Sequence, residues 1–151
     1  MLRHALATLA YRAGKALRGA PPAFASFKPG PESRSAAEIV AHLADLMDWG
    51  ISINEGNQKW SEGPVLAWDA GVARFFASVA AFDASLAAHP PKQGTPEQLF
   101  QGPIADALTH TGQLTMMRRL AASPIRAENY HQAQIAAGRL GPDQAAPKRE
   151  F

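Results

Sequence analysis

The chain has 151 residues, of which 46% are hydrophobic and none is a cysteine. This composition predicts one globular domain, and the lack of cysteine excludes disulfides, thiolate zinc sites and a cysteine nucleophile. The 15 basic and 13 acidic residues nearly balance to a net charge of +2, so charge gives no indication of nucleic-acid binding.

The N-terminal segment is predicted to form a first helix over Leu2–Leu17. Its apolar residues recur with helical spacing and its charges lie on the other side. Gly19 and the two prolines that follow are typical of a helix end. Arg12 and Lys15 interrupt the apolar core that a secretory signal needs, and no uninterrupted apolar run reaches the roughly 18 residues of a membrane span. A cytoplasmic location is therefore expected.

Capping and periodicity predict the second and third helices. After a connection over Ala20–Arg34, the sequence Ser35-Ala36-Ala37-Glu38 forms a capping box that opens the second helix, which ends near Gly56. A third helix begins near Val65 and stops before a pair of prolines. Its apolar residues alternate in steps of three and four, as bundle helices do: Val65, Trp68, Val72, Phe75, Phe76, Val79, Phe82 and Leu86.

A fourth helix is predicted after a loop, with Gly102 as its N-cap and Pro103 in its first position. The remaining Ser123–Phe151 is expected to be irregular, apart from a short helix around Asn129–Ala137. No strand pattern competes with the helices. The sequence therefore predicts an all-α fold, a four-helix bundle over residues 1–122 with a C-terminal tail, residues 123–151, packed on the same domain.

The fourth helix carries polar residues on the side that it should bury. At about 100° per residue, Asp106 and His110 fall on the side of Leu114 and Met117. Arg118 projects elsewhere and is expected to be a solvated charge. A carboxylate on the inner side of a bundle needs a partner or a cation.

The second helix provides the partner. His42 shares a stripe with Leu46, Trp49 and Ile53, so it also points inward. Two histidines and one aspartate can converge on a divalent metal and leave positions open for water or substrate. The alternative is that Asp106 and His110 form an i,i+4 pair, with His42 an unrelated histidine at the edge of the core.

Four further residues are candidates for a role near this site. Gln113, one turn beyond His110, is placed to orient a ligand. Trp49 and Met117 are placed to wall a substrate pocket, although apolar residues at helical spacing are usually core. In the tail, His131 is able to reach the metal if the tail folds over the mouth of the bundle.

Two segments resemble motifs of the DinB/YfiT-like family of metal-binding four-helix bundles. AEIVAHLADLMDW resembles the second-helix motif, with His42 in the place of its histidine. DALTHTGQL resembles the fourth-helix motif, His-x3-His followed by Arg-Gly-Gln, in which His110 and Gln113 match. Asp106 stands in the place of the first histidine and Thr111 in that of the arginine.

The resemblance covers about Leu2–Ala122 and implies a metal site formed by His42, Asp106 and His110. It implies a divalent Zn, Ni, Mn or Fe ion as the cofactor, and a homodimer. The family includes thiol-dependent S-transferases and metal-dependent hydrolases, so a small-molecule substrate and a low-molecular-weight thiol are expected partners. A non-catalytic metal-binding or structural dimeric bundle is the alternative.

Overall fold

A computed structural model describes all 151 residues, and the chain is helical throughout its ordered core. Three long helices come first: α1 (Leu2–Leu17), α2 (Ala36–Asn54) and α3 (Trp68–Ala88). The last helical run contains α4 (Pro96–Leu99), a π-helical stretch (Phe100–Ile104) and α5 (Ala105–Leu120). There is no strand, only one isolated bridge between Glu128 and Glu150. The prediction of an all-α fold is confirmed.

The ends of α1 and α2 follow the local signals in the sequence. Gly19 has a φ of 62°, the left-handed conformation that glycine adopts at low cost after a helix. At the start of α2, the hydroxyl of Ser35 accepts from the Glu38 N–H at 3.2 Å. The Glu38 carboxylate accepts in return from the Ser35 N–H at 2.5 Å, which completes the capping box.

One continuous core connects the four long helices, and α2 lies at its centre. The core contains 26 buried residues. Gly50 allows the closest helix contact, because a Cβ atom at this position would overlap the ring of Phe82 on α3. The largest completely buried side chains include Phe24, Phe75 and Phe82. Burial of aromatic surface on this scale drives the packing of the helices.

The third helix begins later than predicted. It starts at Trp68, and Val65 stays 54% exposed in an extended segment. The reason is a polar anchor: the Gly63 N–H donates to Asp45 at 3.1 Å, and Arg74 donates to the same carboxylate at 2.6 Å. These bonds hold the segment against α2 until Trp68 can pack edge-on against a buried phenylalanine.

The predicted start of the fourth helix at Gly102 is wrong. The helical run begins seven residues earlier, where Thr95 and Gln98 form a capping box and Pro96 occupies the first position. Pro103 lies inside the run, in the π-helical stretch. Proline lacks the N–H that an α-helix requires, and the wider π turn accommodates this without ending the helix.

The tail is irregular, and the short helix predicted around Asn129–Ala137 is only a 3-10 turn at Tyr130–Gln132. A buried carboxylate attaches the tail to α1. Glu128 accepts from the Tyr11 hydroxyl at 2.6 Å and from the Lys15 ammonium at 2.7 Å. Burial and this hydrogen bond raise the pKa of Tyr11. The tail is therefore fixed on the α1 side of the molecule.

Arg118 is buried, contrary to the solvated position expected for it. Its guanidinium donates to the carbonyls of Ala16, Arg18 and Gly19, at 2.9, 3.1 and 3.3 Å. It also donates to the carbonyl and hydroxyl of Ser123. A cation at this position satisfies the carbonyls left free at the C-terminal end of α1.

One helix, α3, is long and apolar enough to cross a membrane by length and composition, although the sequence shows no uninterrupted apolar run. It has 21 residues and a mean hydropathy of 1.3 over its most apolar window, one third of which is buried against other helices. Core helices of soluble proteins often have the same properties, so this is weak evidence for a membrane span.

Candidate metal centre

Three side chains from α2 and α5 meet at one point. His42 projects from α2, and Asp106 and His110 project from successive turns of α5. One ligand atom from each residue can be chosen so that all three lie within 4.8 Å of one another. The Nε2 atoms of His42 and His110 both lie 3.6 Å from carboxylate oxygens of Asp106. The structure thus brings together the three residues that the sequence singled out.

These separations indicate what the three groups can do. A distance of 3.6 Å between nitrogen and oxygen is longer than a hydrogen bond, which is about 2.7–3.2 Å. Two ligands of a tetrahedral ion with bonds of about 2.1 Å lie about 3.4 Å apart. Each histidine approaches a different oxygen of Asp106, so the two distances are longer than direct hydrogen bonds and similar in size to ligand–ligand separations around a small cation.

The cluster lies at the margin of the core and not in its interior. Both histidine side chains are 14% exposed, but that of Asp106 is 46% exposed. The projection of α5 placed Asp106 on the inner side together with Leu114, which is indeed fully buried. Asp106 is nearer the edge of that face, so the carboxylate is hydrated on one side and a small molecule can approach it.

Gln113 fixes the orientation of His110. The Nδ1 atom of His110 lies 2.8 Å from the amide oxygen Oε1 of Gln113. An amide oxygen only accepts hydrogen bonds, so Nδ1 donates and Nε2 of the neutral ring keeps its lone pair. That lone pair is directed to the Asp106 side, the arrangement found when a histidine ligates a metal through Nε2.

His42 is favoured in its neutral form. Burial lowers its pKa below the ordinary value, and the neighbouring Arg34 and His110 lower it further, whereas Asp106 acts in the opposite direction. Its ring meets that of His110 nearly at right angles, with centroids 4.7 Å apart. Neutral imidazole is the form that binds a metal ion.

A cavity of about 560 Å³ opens on the His42 and Asp106 side of the cluster. Trp49 forms part of its wall, and its ring also packs near Gly102, where a Cβ atom would come within 3.4 Å of it. Trp60 lies edge-on to both Trp49 and His42, with centroids 6.0 and 5.6 Å away. The volume is within the usual range for small-molecule sites, about 300–1,000 Å³.

Of the two remaining candidate residues, Met117 lies near the cluster and His131 does not belong to it. Met117 is 3% exposed and lines a second cavity, next to His110. His131 is exposed in the tail turn and is not part of the cluster. Its neighbour Tyr130 packs edge-on against Tyr11 of α1, so the tail brings no ligand to the site.

Two parts of the wall carry no signal in the sequence. Trp60 belongs to the loop between α2 and α3, and Gln93 to the loop after α3; both line the larger cavity. They approach each other because Gln58, beside Trp60, exchanges hydrogen bonds with Gln93. Contacts between two loops have no periodicity, so helical spacing gives no prediction for them.

Comparison with known protein families, with curated proteins and with solved structures found no match.

Proposed function

We propose that this chain is a metal-dependent enzyme of DinB/YfiT-like four-helix-bundle type, with His42, Asp106 and His110 as the ligands of a divalent cation. One observation carries the proposal: ligand atoms from two different helices lie within 4.8 Å of one another. The two segments that resemble the family motifs contain all three residues, which supports the same assignment independently of the geometry.

The donor set is chemically suited to a divalent transition metal. Two neutral imidazoles and a carboxylate bind Zn, Ni, Mn or Fe, and the oxygen ligand makes the site harder than one with three histidines. Gln113 supports the proposal because an outer partner commonly fixes the ring of a ligating histidine. The half-exposed Asp106 leaves space for a further ligand on the solvent side.

The chemistry that follows is hydrolysis or transfer to a thiol. A bound cation would supply Lewis acidity, which lowers the pKa of a water molecule or a low-molecular-weight thiol. Residues of the chain would position the substrate. Trp49 and Trp60 would contact its apolar part in the larger cavity, and Asp106 would face its reacting end.

A non-catalytic metal-binding protein is the second candidate, and one feature of the site favours it. Beyond the three proposed ligands, neither adjoining cavity is lined by another histidine, aspartate or glutamate. A separate general base is therefore absent from the walls. An enzyme with this site would depend on the metal and its ligands for activation of the nucleophile.

Metal analysis of the untagged protein tests the ligand assignment. We expect close to one divalent ion per chain, lost in H42A and H110A and held more weakly in D106A. H131A is the matched control, since it removes an exposed histidine outside the cluster and should retain the ion. Full metal content in H110A would contradict the proposal.

Turnover separates the enzyme from the binding protein. The metal-loaded protein is assayed against ester and amide hydrolysis panels, and against electrophiles with and without a low-molecular-weight thiol. Turnover that disappears in H110A together with the metal supports catalysis. A full complement of metal without turnover on any panel supports the second candidate.

We also propose that the chain forms a homodimer. The phenylalanines of α3 are not available for this contact, because Phe75, Phe76 and Phe82 are buried within the chain. The exposed side of α3 is instead lined by alanines: Ala73, Ala77, Ala80, Ala84 and Ala87. Light scattering during size exclusion tests the proposal, and a monomer at high concentration would refute it.

A further inference from the structure

A second cavity, on the opposite side of the cluster, has a composition that indicates its ligand. Its volume is about 440 Å³, and it is formed where the loop before α2 faces the outer turns of α5. His110 and Gln113 are at one end, beside the candidate metal centre. Arg34 is the only arginine, lysine, aspartate or glutamate in its wall.

Most of the remaining wall is apolar. Ile39 and Met117 form the buried part, at 3% exposure each. Met116 and Leu120, in adjacent turns of α5, also line the cavity and remain 55% and 58% exposed. Covering such a surface with an apolar ligand is favourable, because it removes apolar area from water.

Arg34 is free to bind an anion. It forms no salt bridge, in contrast to Arg3, which pairs with Asp83, and Arg74, which pairs with Asp45. Glu38, one turn further along the chain, is occupied elsewhere: its carboxylate accepts from the Ser35 N–H and pairs with a lysine 3.4 Å away.

The position of Arg34 in the fold also favours an anion. Arg34 precedes the N-cap of α2, a helix of 19 residues, so the positive end of the helix dipole adds to its charge. Its side chain lines the same cavity as His110, so an anion bound to it lies in the cavity next to the cluster.

We propose that this cavity binds an apolar carboxylate, with the carboxylate on Arg34 and the hydrocarbon part against Ile39, Met116 and Leu120. This inference deepens the proposed function, because it names the chemical class of a second ligand, held on the His110 side of the same candidate metal centre and distinct from the substrate in the larger cavity. A guanidinium matches the two oxygens of a carboxylate with paired hydrogen bonds. The ligand would extend toward His110, which brings its far end next to the candidate metal centre.

Binding of hexanoate, compared with the neutral hexan-1-ol, tests this proposal in the full chain, both as purified and after chelation. We expect hexanoate to bind in both states and R34Q to weaken it about tenfold, as loss of a charged hydrogen-bonding partner does. Hexan-1-ol should bind about as weakly to wild type as hexanoate does to R34Q. R119Q is the matched control, because Arg119 is an exposed arginine of α5 that lines a different cavity.

A second variant tests the contribution of the apolar wall to binding. Leu120→Gln should weaken hexanoate several-fold and leave acetate, which has no chain to bury, unchanged. Unaltered hexanoate affinity in R34Q would overturn the proposal, and so would equal affinities for hexanoate and hexan-1-ol, or hexanoate binding that requires the metal. Absence of metal from the purified protein would refute the proposed function alone, since binding to Arg34 is measured without the ion.

Discussion

Replacement of Arg118 by methionine should destabilise the protein, although the residue is remote from the candidate site. Methionine keeps much of the apolar stem but removes every donor of the guanidinium, whose central carbon lies 5.6 Å from the ring centre of Phe24. The carbonyl of Ala16 is buried and loses its bond of 2.9 Å from Arg118. Arg18 and Gly19 are exposed, so water replaces most of what their carbonyls lose.

The magnitude follows from these contacts. One buried acceptor left without a partner costs about 1–3 kcal/mol, and the partly hydrated bonds add about 1 kcal/mol more. Burial lowers the pKa of Arg118, so relief from desolvation offsets part of this loss. We expect a net loss of about 2 kcal/mol in the free energy of unfolding, or a melting temperature about 6 °C lower.

Urea denaturation of R118M and of a matched variant, R119M, measures the difference. Arg119 is the next residue on α5 and is exposed, so its replacement should change stability by less than about 0.5 kcal/mol. Equal midpoints for R118M and R119M, with unchanged slopes, would refute the assignment of Arg118 as the cap of α1.

Two further predictions concern packing and pH. Gly50→Ala should destabilise the protein by about 1–3 kcal/mol, because the added methyl group overlaps the ring of Phe82. Gly112→Ala meets open space and should stabilise the protein by about 0.5–1 kcal/mol. Similar melting temperatures for the two variants would contradict this prediction. Bonds from Ser85, Lys92 and His89 lower the pKa of Glu55 from 4.5 to about 2, so its contribution is complete above pH 4.5 and is lost as the pH falls towards 2. The stability difference between wild type and E55Q should therefore shrink over that interval. A constant difference would show that the contact is not formed in solution.

Much of the helical architecture could be predicted because it depends on local signals. The capping box at Ser35 and the glycine after α1 operate within a few residues of chain, and both helix ends agree with the structure. The wrong prediction of a helix start at Gly102 also came from a local signal. Pro103 follows a glycine, a pattern typical of a helix start, and only the π turn that accommodates it distinguishes the observed structure.

The meeting of the three site residues could also be predicted, because α2 and α5 each present one face to the core. Helical projection indicates which side a residue is on but not how near it lies to the edge of that side. Asp106 is therefore more exposed than expected, and Arg118 less. Arg118 is buried because the end of α1 needs donors, a requirement that only the packed structure reveals.

The walls of the two cavities were the least predictable part. Trp60 and Arg34 belong to loops whose positions are set by contacts with other elements, such as the anchor of Gly63 on Asp45. A loop residue has no periodic neighbour that would indicate its direction. The sequence consequently indicated the three residues of the cluster but not the groups that line the cavities beside it.

Anomalous diffraction from crystals of the untagged protein, measured on both sides of the absorption edge of the metal that it contains, tests the central claim most directly. We predict a single peak about 2.0–2.2 Å from Nε2 of His42, Nε2 of His110 and a carboxylate oxygen of Asp106. A fully occupied peak elsewhere, or an ion-free cluster in which Asp106 is hydrogen-bonded directly to a histidine, would contradict it.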